Sequence, residues 1–219
     1  MRIVNQLTDK GLAVGVVLAK SVTVEPSPAP FRQLIEALIT ERKAQEFPGP
    51  ALKEAVRALL RTGGFKPSGR SKPASEYLAQ AAREDRFPFV NNLVDANNYV
   101  SLLSGLPISL LDQEAFAGEA LLRFGQPGEK YVFNSANQEI DLNGLICACR
   151  AEPSPGAPLG NPVKDSMEAK LKDTSKNVVG FLFSPASSIS TEELRKHTEL
   201  LGALIKEFGG AKEIEVRLV

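Results

Sequence analysis

The sequence contains little cysteine and almost no histidine. In 219 residues it has two cysteines, Cys147 and Cys149, and one histidine, His197. A structural zinc site takes about four cysteine or histidine ligands, and a disulfide framework needs several cysteine pairs. The composition therefore excludes both of these classes. We expect two packed thiols, no metal and no cofactor.

Long apolar runs are also missing from the chain. No segment approaches the roughly 18 apolar residues that a membrane span requires, and the N-terminus lacks the apolar stretch of a signal peptide. The formal net charge is +0, which argues against a protein that coats nucleic acid non-specifically. These absences predict a cytoplasmic protein without membrane contact.

Two common catalytic motifs are absent as well. The chain has no phosphate-binding glycine-rich loop of the Walker type and no G-x-S-x-G nucleophile elbow. We therefore do not expect nucleotide hydrolysis or serine-triad chemistry.

The most informative segment is residues 87–112, which read FPFVNNLVDANNYVSLLSGLPISLLD. It places asparagines and aspartates on an otherwise apolar helical pattern that breaks at a glycine and a proline. Asn91, Asp95 and Asn98 are spaced four and three residues apart, so a helix would bring them to one face. Asparagine and aspartate are poor helix formers because their side chains compete for backbone hydrogen bonds. Their presence here indicates a role other than helix formation.

The hydrophobic periodicity along the chain predicts an α+β protein. We divide it into residues 1–65, an N-terminal strand and helical hairpin packed on the core, and residues 66–219, the main domain with a C-terminal helix and strand. Ser190 and Glu193 form a capping box that predicts the start of the last helix. Other strands are predicted at 12–18, 120–124, 130–133, 145–150, 178–183 and 213–219, and earlier helices around 31–39, 51–60 and after Pro73.

The asparagine-rich segment also carries a family resemblance. Residues 94–100 (VDANNYV), the GLP at 105–107 and Asp112 resemble the D-x-T-N-Y-V … G-x-P-L-H-x-x-D segment of the B3/4 (editing) domain in the phenylalanyl-tRNA synthetase beta subunit. The similarity covers roughly residues 66–186, and the RSKPASE at 70–76 resembles stand-alone members. It implies a layered domain with a β-sandwich-like centre, to which the helical periodicity adds flanking helices and an N-terminal helical hairpin. Further matching positions are Gly118, Leu122, Arg123, Gly128, Glu129, Thr174 and Asn177.

The resemblance implies a function. The family domain hydrolyses a wrongly attached amino acid, usually tyrosine, from the 3′ end of phenylalanine tRNA. Such an ester is already activated, so the protein need only hold the terminal adenosine, seat the side chain and place a water molecule. The implied partners are a tRNA or aminoacyl-tRNA 3′ end and an amino-acid-like small molecule. The candidate catalytic residues are Asn98, Ser109 and Asp165, and the candidate substrate contacts are Asn91, Asp95, Asn97, Gly105, Pro107, Ser166 and Thr174.

The chain departs from the family pattern at three places. The family's threonine falls on Asn97 and its histidine on Ser109, which has no pKa near neutrality and cannot accept a proton. The glutamate that reads the tyrosine hydroxyl falls near residues 179–181 (VGF), none of which is acidic. We therefore expect a changed amino-acid preference, because discrimination by a hydroxyl needs a buried polar partner.

Between Arg57 and Ser75 the chain carries five basic residues and no acidic one. Such a stretch is predicted to contact tRNA phosphates, and the alternative is a solvated helix end followed by a loop. The basic residues are Arg57, Arg61, Lys66, Arg70 and Lys72.

The sequence leaves several alternatives open. Asp165 and Ser166 can face the asparagine row or form a turn and helix cap. Asp95 can orient a substrate group or serve as a structural carboxylate. The whole protein can be a trans-acting deacylase or a non-catalytic module that binds an amino acid or a related metabolite.

Overall fold

The computed structural model describes residues 1–154 and 156–219 and shows an α+β chain. The elements, in chain order, are β1 (Arg2–Asn5), β2 (Leu12–Lys20), α1 (Ala29–Lys43), α2 (Pro50–Arg61), α3 (Ala74–Arg83), α4 (Asn92–Ser104), β3 (Ile108–Asp112), β4 (Glu119–Phe124), β5 (Lys130–Val132), β6 (Glu139–Asp141), β7 (Ile146–Arg150), β8 (Pro158–Gly160), β9 (Asn177–Pro185), α5 (Thr191–Gly209) and β10 (Glu213–Leu218). Short 3-10 turns lie at Thr8–Lys10, Gly69–Ser71 and Gln113–Phe116.

The central sheet has the strand order β10-β2-β9-β3. Strand β2 pairs antiparallel with β9 along its whole length and with β10 on its other edge. Its sequence LAVGVVLAK is an almost unbroken apolar run, and nearly all of it is buried. Such a run is typical of a strand that is covered on both faces.

A second sheet, in the order β1-β4-β7-β8, covers one face of the central sheet. One apolar cluster joins the two sheets, with Val14 and Val16 from β2 meeting Leu122 from β4 and Ile146 from β7. The sheets therefore form a β-sandwich-like centre, and the predicted α+β fold is confirmed. The sequence did not reveal the short strands β1, β6 and β8, nor β3 after the Gly-Pro turn.

Helices α4 and α5 cover the opposite face of the central sheet. Val17 of β2 packs in the same apolar cluster as Leu93 and Val100 of α4 and Leu201 of α5. The approach of α5 depends on Gly15, because a Cβ there would lie 2.0 Å from Thr198 Oγ1. A residue larger than glycine would push the helix off the sheet.

The ends of the two covering helices follow their sequence signals. Ser190 accepts a hydrogen bond from the Glu193 amide (3.1 Å), which confirms the predicted start of α5. Helix α4 ends at Gly105, which has φ of +76° and donates its amide to the Ser101 carbonyl (2.9 Å). Glycine suits this position because it adopts a positive φ without a steric penalty.

The N-terminal strands belong to both sheets, since β1 pairs with β4 and β2 lies between β9 and β10. Helix α1 packs against α3 and α4, and α2 reaches β9. The division of the chain at residue 65 stays a prediction.

Arg123 and Glu129 form an ion pair behind the second sheet. Two guanidinium nitrogens donate to the two carboxylate oxygens at 2.8 and 2.7 Å, and Arg123 also donates to the Gly156 carbonyl. Burial raises the pKa of Glu129, but the hydrogen bonds and charge of Arg123 outweigh it, and the net shift is downward. The pair joins β4 to the segments around Glu129 and Gly156.

Both cysteines are free and buried in β7, which confirms two packed thiols. Within residues 1–154 and 156–219, no helix has the length and apolarity to cross a bilayer. The same residues contain no cluster of three histidine, cysteine or acidic side chains that could hold a metal ion.

Candidate functional site

A cavity of about 780 Å³ lies between α3, α4, β3 and residues 161–171. This volume falls in the range of small-molecule sites. The apolar part of its lining comes from Leu78, Ala81, Val94, Ile108, Leu110, Val163 and Leu171. Its polar part comes from Asn91, Asn97, Asn98 and Asp165, with Arg70, Lys72, Arg86, Lys164 and Lys170 supplying positive charge.

Two asparagines of α4 present amides to this cavity. Asn98 donates weakly to the Pro88 carbonyl (3.5 Å), and its own oxygen accepts from Asn97 Nδ2 (3.3 Å). That chain of bonds leaves Asn97 Oδ1 without a partner among the described residues, although Asn97 is only 8% exposed. A buried acceptor without a hydrogen bond costs about 1–3 kcal/mol. This oxygen is itself closed off from solvent, so a ligand donor in the cavity would reach it only after the Asn97 side chain rotates.

The structure assigns different roles to Asn91 and Asp95. Asn91 lies just before α4 and caps it, with Oδ1 accepting from the Val94 amide (2.9 Å). Asp95 is fully buried and accepts from Ser27 Oγ (2.6 Å) and the Val90 amide (2.8 Å), outside the cavity lining. This corrects the prediction that Asp95 lines the pocket. The cavity side of α4 is centred on Val94, and the next residue is rotated by about 100°.

Asp165 is the titratable carboxyl of the cavity. Its Oδ1 accepts from Ser109 Oγ (2.6 Å) and from the Asn161 amide (3.3 Å). Its Oδ2 makes no hydrogen bond within the part of the chain that the structure describes. Burial raises the pKa of Asp165 to about 6, against the smaller lowering effect of its two donors. A carboxyl that titrates near neutrality is suited to general-base catalysis.

Ser109 supports Asp165 from behind the cavity wall. It lies on β3 between Ile108 and Leu110, which line the cavity, so strand alternation turns its fully buried side chain to the other face. The sequence missed Asn161, whose Oδ1 accepts from the amides of Val163 and Lys164 (both 2.8 Å). This Asx turn fixes the backbone next to Asp165, and the Asn-Pro pair at residues 161–162 is its signal in the sequence.

Four further predicted contacts lie outside the cavity lining. Gly105 is the C-cap of α4, and the Pro107 carbonyl accepts from the Phe183 amide (3.0 Å). Ser166 is buried and its hydroxyl accepts from the Glu168 amide (3.2 Å), while Thr174 is exposed. The structure gives these residues other places: Gly105 ends α4, Pro107 is bonded to β9, Ser166 stabilises a turn and Thr174 faces solvent. Residues 179–181 are buried in β9 and do not line the cavity either.

The predicted basic stretch divides into two groups. Arg57 forms a two-point ion pair with Glu76 (both 2.7 Å), and Arg61 pairs with Glu54 (2.6 Å). Those two cations are already compensated, so the prediction that they bind RNA finds no support. Arg70 and Lys72 line the cavity, and Lys66 lies beside it. The sequence missed Arg86, Lys164 and Lys170, because only the fold brings them to the same wall.

The chain is similar in sequence to a known domain family and to two curated proteins. Residues 66–200 match the family described as B3/4 domain. The phenylalanine–tRNA ligase beta subunit of Aquifex aeolicus (strain VF5) is 30% identical over 91 residues, which is 41% of this chain and 11% of that protein. The corresponding subunit of Streptococcus pneumoniae (strain ATCC BAA-255 / R6) is 28% identical over 83 residues, which is 37% of this chain and 10% of that protein.

Among solved structures, an N-terminal fragment of the phenylalanyl-tRNA synthetase beta-subunit from Pyrococcus horikoshii aligns with a TM-score of 0.47 and 11% identity. The alignment covers 98% of this chain and 50% of that fragment. The segments shared with the two curated relatives span only about a tenth of those proteins. The family match covers more than half of the present chain, and the resemblance seen in the sequence is confirmed: the protein belongs to the B3/4 domain family.

Proposed function

We propose that the cavity binds the aminoacyl 3′ end of a tRNA and hydrolyses its ester bond. The observation that carries this proposal is Asp165, a carboxyl with a pKa of about 6 in the wall of a cavity of about 780 Å³. The relatives named above are tRNA ligase subunits, which supports a tRNA-related role.

The proposed reaction needs one base and one water molecule. Asp165 Oδ2, free of protein partners among the described residues, takes a proton from water while the water oxygen attacks the ester carbonyl. The carbon–oxygen bond to the ribose then breaks, and Asp165 returns the proton to the departing ribose oxygen. Ser109 keeps Oδ1 occupied and so orients Oδ2 toward the cavity.

The asparagines bind the rest of the substrate in this proposal. Asn97 rotates its side chain so that Oδ1, which is buried and lacks a partner without substrate, accepts from the α-ammonium group of the amino acid. Val94, Ile108 and Leu110 surround the amino-acid side chain. No acidic side chain stands at residues 179–181 to read a tyrosine hydroxyl, so the apolar lining favours an apolar side chain.

A panel of aminoacyl-tRNAs tests the proposal. We expect at least one tRNA carrying an apolar amino acid to be deacylated at least tenfold faster with the protein than without it, and tyrosyl-tRNA not to be the preferred substrate. Release of the labelled amino acid from acid-precipitable tRNA measures the rate. Equal rates with and without protein for every ester would exclude the catalytic proposal.

A non-catalytic binding module is the second candidate. The replacement of the family's histidine by Ser109 favours it, because serine cannot take that residue's proton-transfer role. Thermal unfolding separates the two candidates, since only a ligand that prefers the folded state raises the Tm. A Tm increase with a free amino acid, with no effect of tRNA and no deacylation, would establish the second candidate in place of the first.

Replacing Ser109 by alanine should shift the pH dependence of deacylation. The serine hydroxyl donates to Asp165 and lowers the pKa of that carboxyl. Without it the pKa rises above about 6, so the rate should reach half of its plateau at a higher pH, by up to about one unit. The measurement is a rate profile from pH 5 to 8. Ser104→Ala, which removes another buried hydroxyl outside the cavity lining, is the control and should leave the midpoint unchanged.

A further inference from the structure

A second hollow, of about 630 Å³, adjoins the cavity. One side of it is formed by residues 64–71 and the other by the hairpin of β5 and β6. It shares Arg70, Phe133 and Lys164 with the cavity. The two hollows therefore meet at a wall that carries two positive charges.

The cations of the second hollow lack counter-ions. Lys66 and Arg70 are exposed, and within the described parts of the chain neither side chain makes an ion pair or a hydrogen bond. Lys164 Nζ lies 3.9 Å from the ring centroid of Phe133, and burial followed by the charge of Arg70 lowers the pKa of Lys164. A lysine that is partly desolvated and repelled by an arginine gains most from an anion placed between the two.

The two acidic residues of the second hollow are already occupied. Glu139 pairs with Lys130 (2.8 Å), and Asp141 accepts a hydrogen bond from the Asn143 amide (3.0 Å). Both lie on the hairpin side, opposite the cations. The uncompensated charge at the shared wall is therefore positive, and Phe65 adds an aromatic ring beside it.

Lys164 connects the second hollow with the place beside Asp165 where the ester is proposed to bind. It directly precedes Asp165, and the Asx turn of Asn161 fixes both residues. In an aminoacyl-tRNA the esterified ribose also bears the phosphate that joins it to the preceding nucleotide. An ester placed at Asp165 therefore brings a phosphate within reach of the shared cationic wall.

We infer that the second hollow binds the nucleotide preceding the esterified one, with the joining phosphate on Arg70 and Lys164 and the base against Phe65. Lys66, which lines only the second hollow, contacts the next phosphate toward the 5′ end. This inference rests on the proposed function, because the ester at Asp165 decides which end of the RNA strand lies in the cavity. The ligand class is single-stranded RNA of at least two nucleotides. Proteins usually bind such strands with basic side chains that contact the phosphates and aromatic side chains that stack on the bases.

Binding of short RNA tests the inference without any chemistry. The probes are a fluorescently labelled CCA trinucleotide, followed by anisotropy, and adenosine 5′-monophosphate as competitor. We expect the trinucleotide to bind at least tenfold more tightly than the mononucleotide. Lys66→Ala should weaken trinucleotide binding about tenfold and Phe65→Leu about fivefold, while mononucleotide binding stays unchanged.

Lys206→Ala is the matched control, since Lys206 is an exposed lysine of α5 that lines neither hollow. It should leave both affinities unchanged. Equal affinities for the two probes, or an equal response to Lys66→Ala and Lys206→Ala, would overturn the inference. Deacylation reports separately on the proposed function: Lys66→Ala should raise KM and spare kcat, whereas a protein without activity can still show the length-dependent binding.

Discussion

Replacing Asp165 by asparagine should reduce deacylation by about 10²–10⁴-fold, because the change removes the proposed proton acceptor. Asparagine keeps the size of the side chain and an oxygen that accepts from Ser109 Oγ and the Asn161 amide. It has no basic atom near neutral pH. Single-turnover rates on the best ester of the panel measure the loss.

The same substitution should make the protein more stable at pH 8. The pKa of Asp165 is about 6 in the folded protein against an ordinary aspartate value of 3.8, so ionising it costs more in the folded state. This free-energy cost is absent at low pH and develops as the pH rises from about 4 to about 6. It is fully present above about pH 6. It amounts to about 3 kcal/mol. We expect Asp165→Asn to raise the free energy of unfolding by about 1–3 kcal/mol at pH 8 and to have little effect at pH 4.

Urea titrations of the two proteins at pH 4 and pH 8 measure this difference. Asp173→Asn provides a control, because Asp173 is exposed on the neighbouring loop and lines neither hollow. An Asp165→Asn protein with undiminished deacylation would remove Asp165 from the mechanism. A loss of activity together with a large loss of stability would assign the residue a structural role instead.

Glu129→Gln should destabilise the protein by about 3 kcal/mol, because it breaks a largely buried ion pair. The substitution leaves Arg123, whose side chain is 10% exposed, with a neutral partner in place of its carboxylate. Because the net pKa shift of Glu129 is downward, the pair stabilises the fold above the usual pKa of 4.5 and less as the pH falls. The difference between Glu129→Gln and the original protein should therefore shrink below about pH 4.

Glu213→Gln is the matched control for this second prediction. Glu213 pairs with Lys20 at 2.7 Å, but both side chains are more than half exposed. Exposed pairs contribute little, so unfolding should be almost unchanged. Equal effects of the two substitutions would mean that the family's Arg and Glu positions are not retained here for stability.

The sequence predicted the elements whose cause is local. The apolar run of β2, the capping box at Ser190 and the break of the helical pattern at Gly105 depend on a few neighbouring residues, and the structure shows each of them. The family motifs located the asparagine-rich helix and the segment around Asp165. Both line one cavity.

The sequence could not predict which side of α4 faces the cavity. Spacing placed Asn91, Asp95 and Asn98 on one face, but Ser27, which lies 68 positions from Asp95, draws that carboxylate into the core. The rotation of the helix depends on such long-range contacts, which no local pattern contains. For the same reason the sequence could not predict that Arg57 pairs with Glu76. Nor could it predict that Lys164 and Lys170 line the cavity.

The place of β2 between β9 and β10 sets a condition on how the protein is made. Residues 66–200, which match the family, contain β9. They lack β2, which pairs with one edge of β9, and β10, which pairs with the other edge of β2. A fragment cut at those limits would leave one edge of β9 unpaired and would divide α5, and an unpaired strand edge is prone to self-association. The central sheet can close only after β10 has been synthesised, because Lys20 of β2 pairs with Glu213, which lies 193 positions later in the chain.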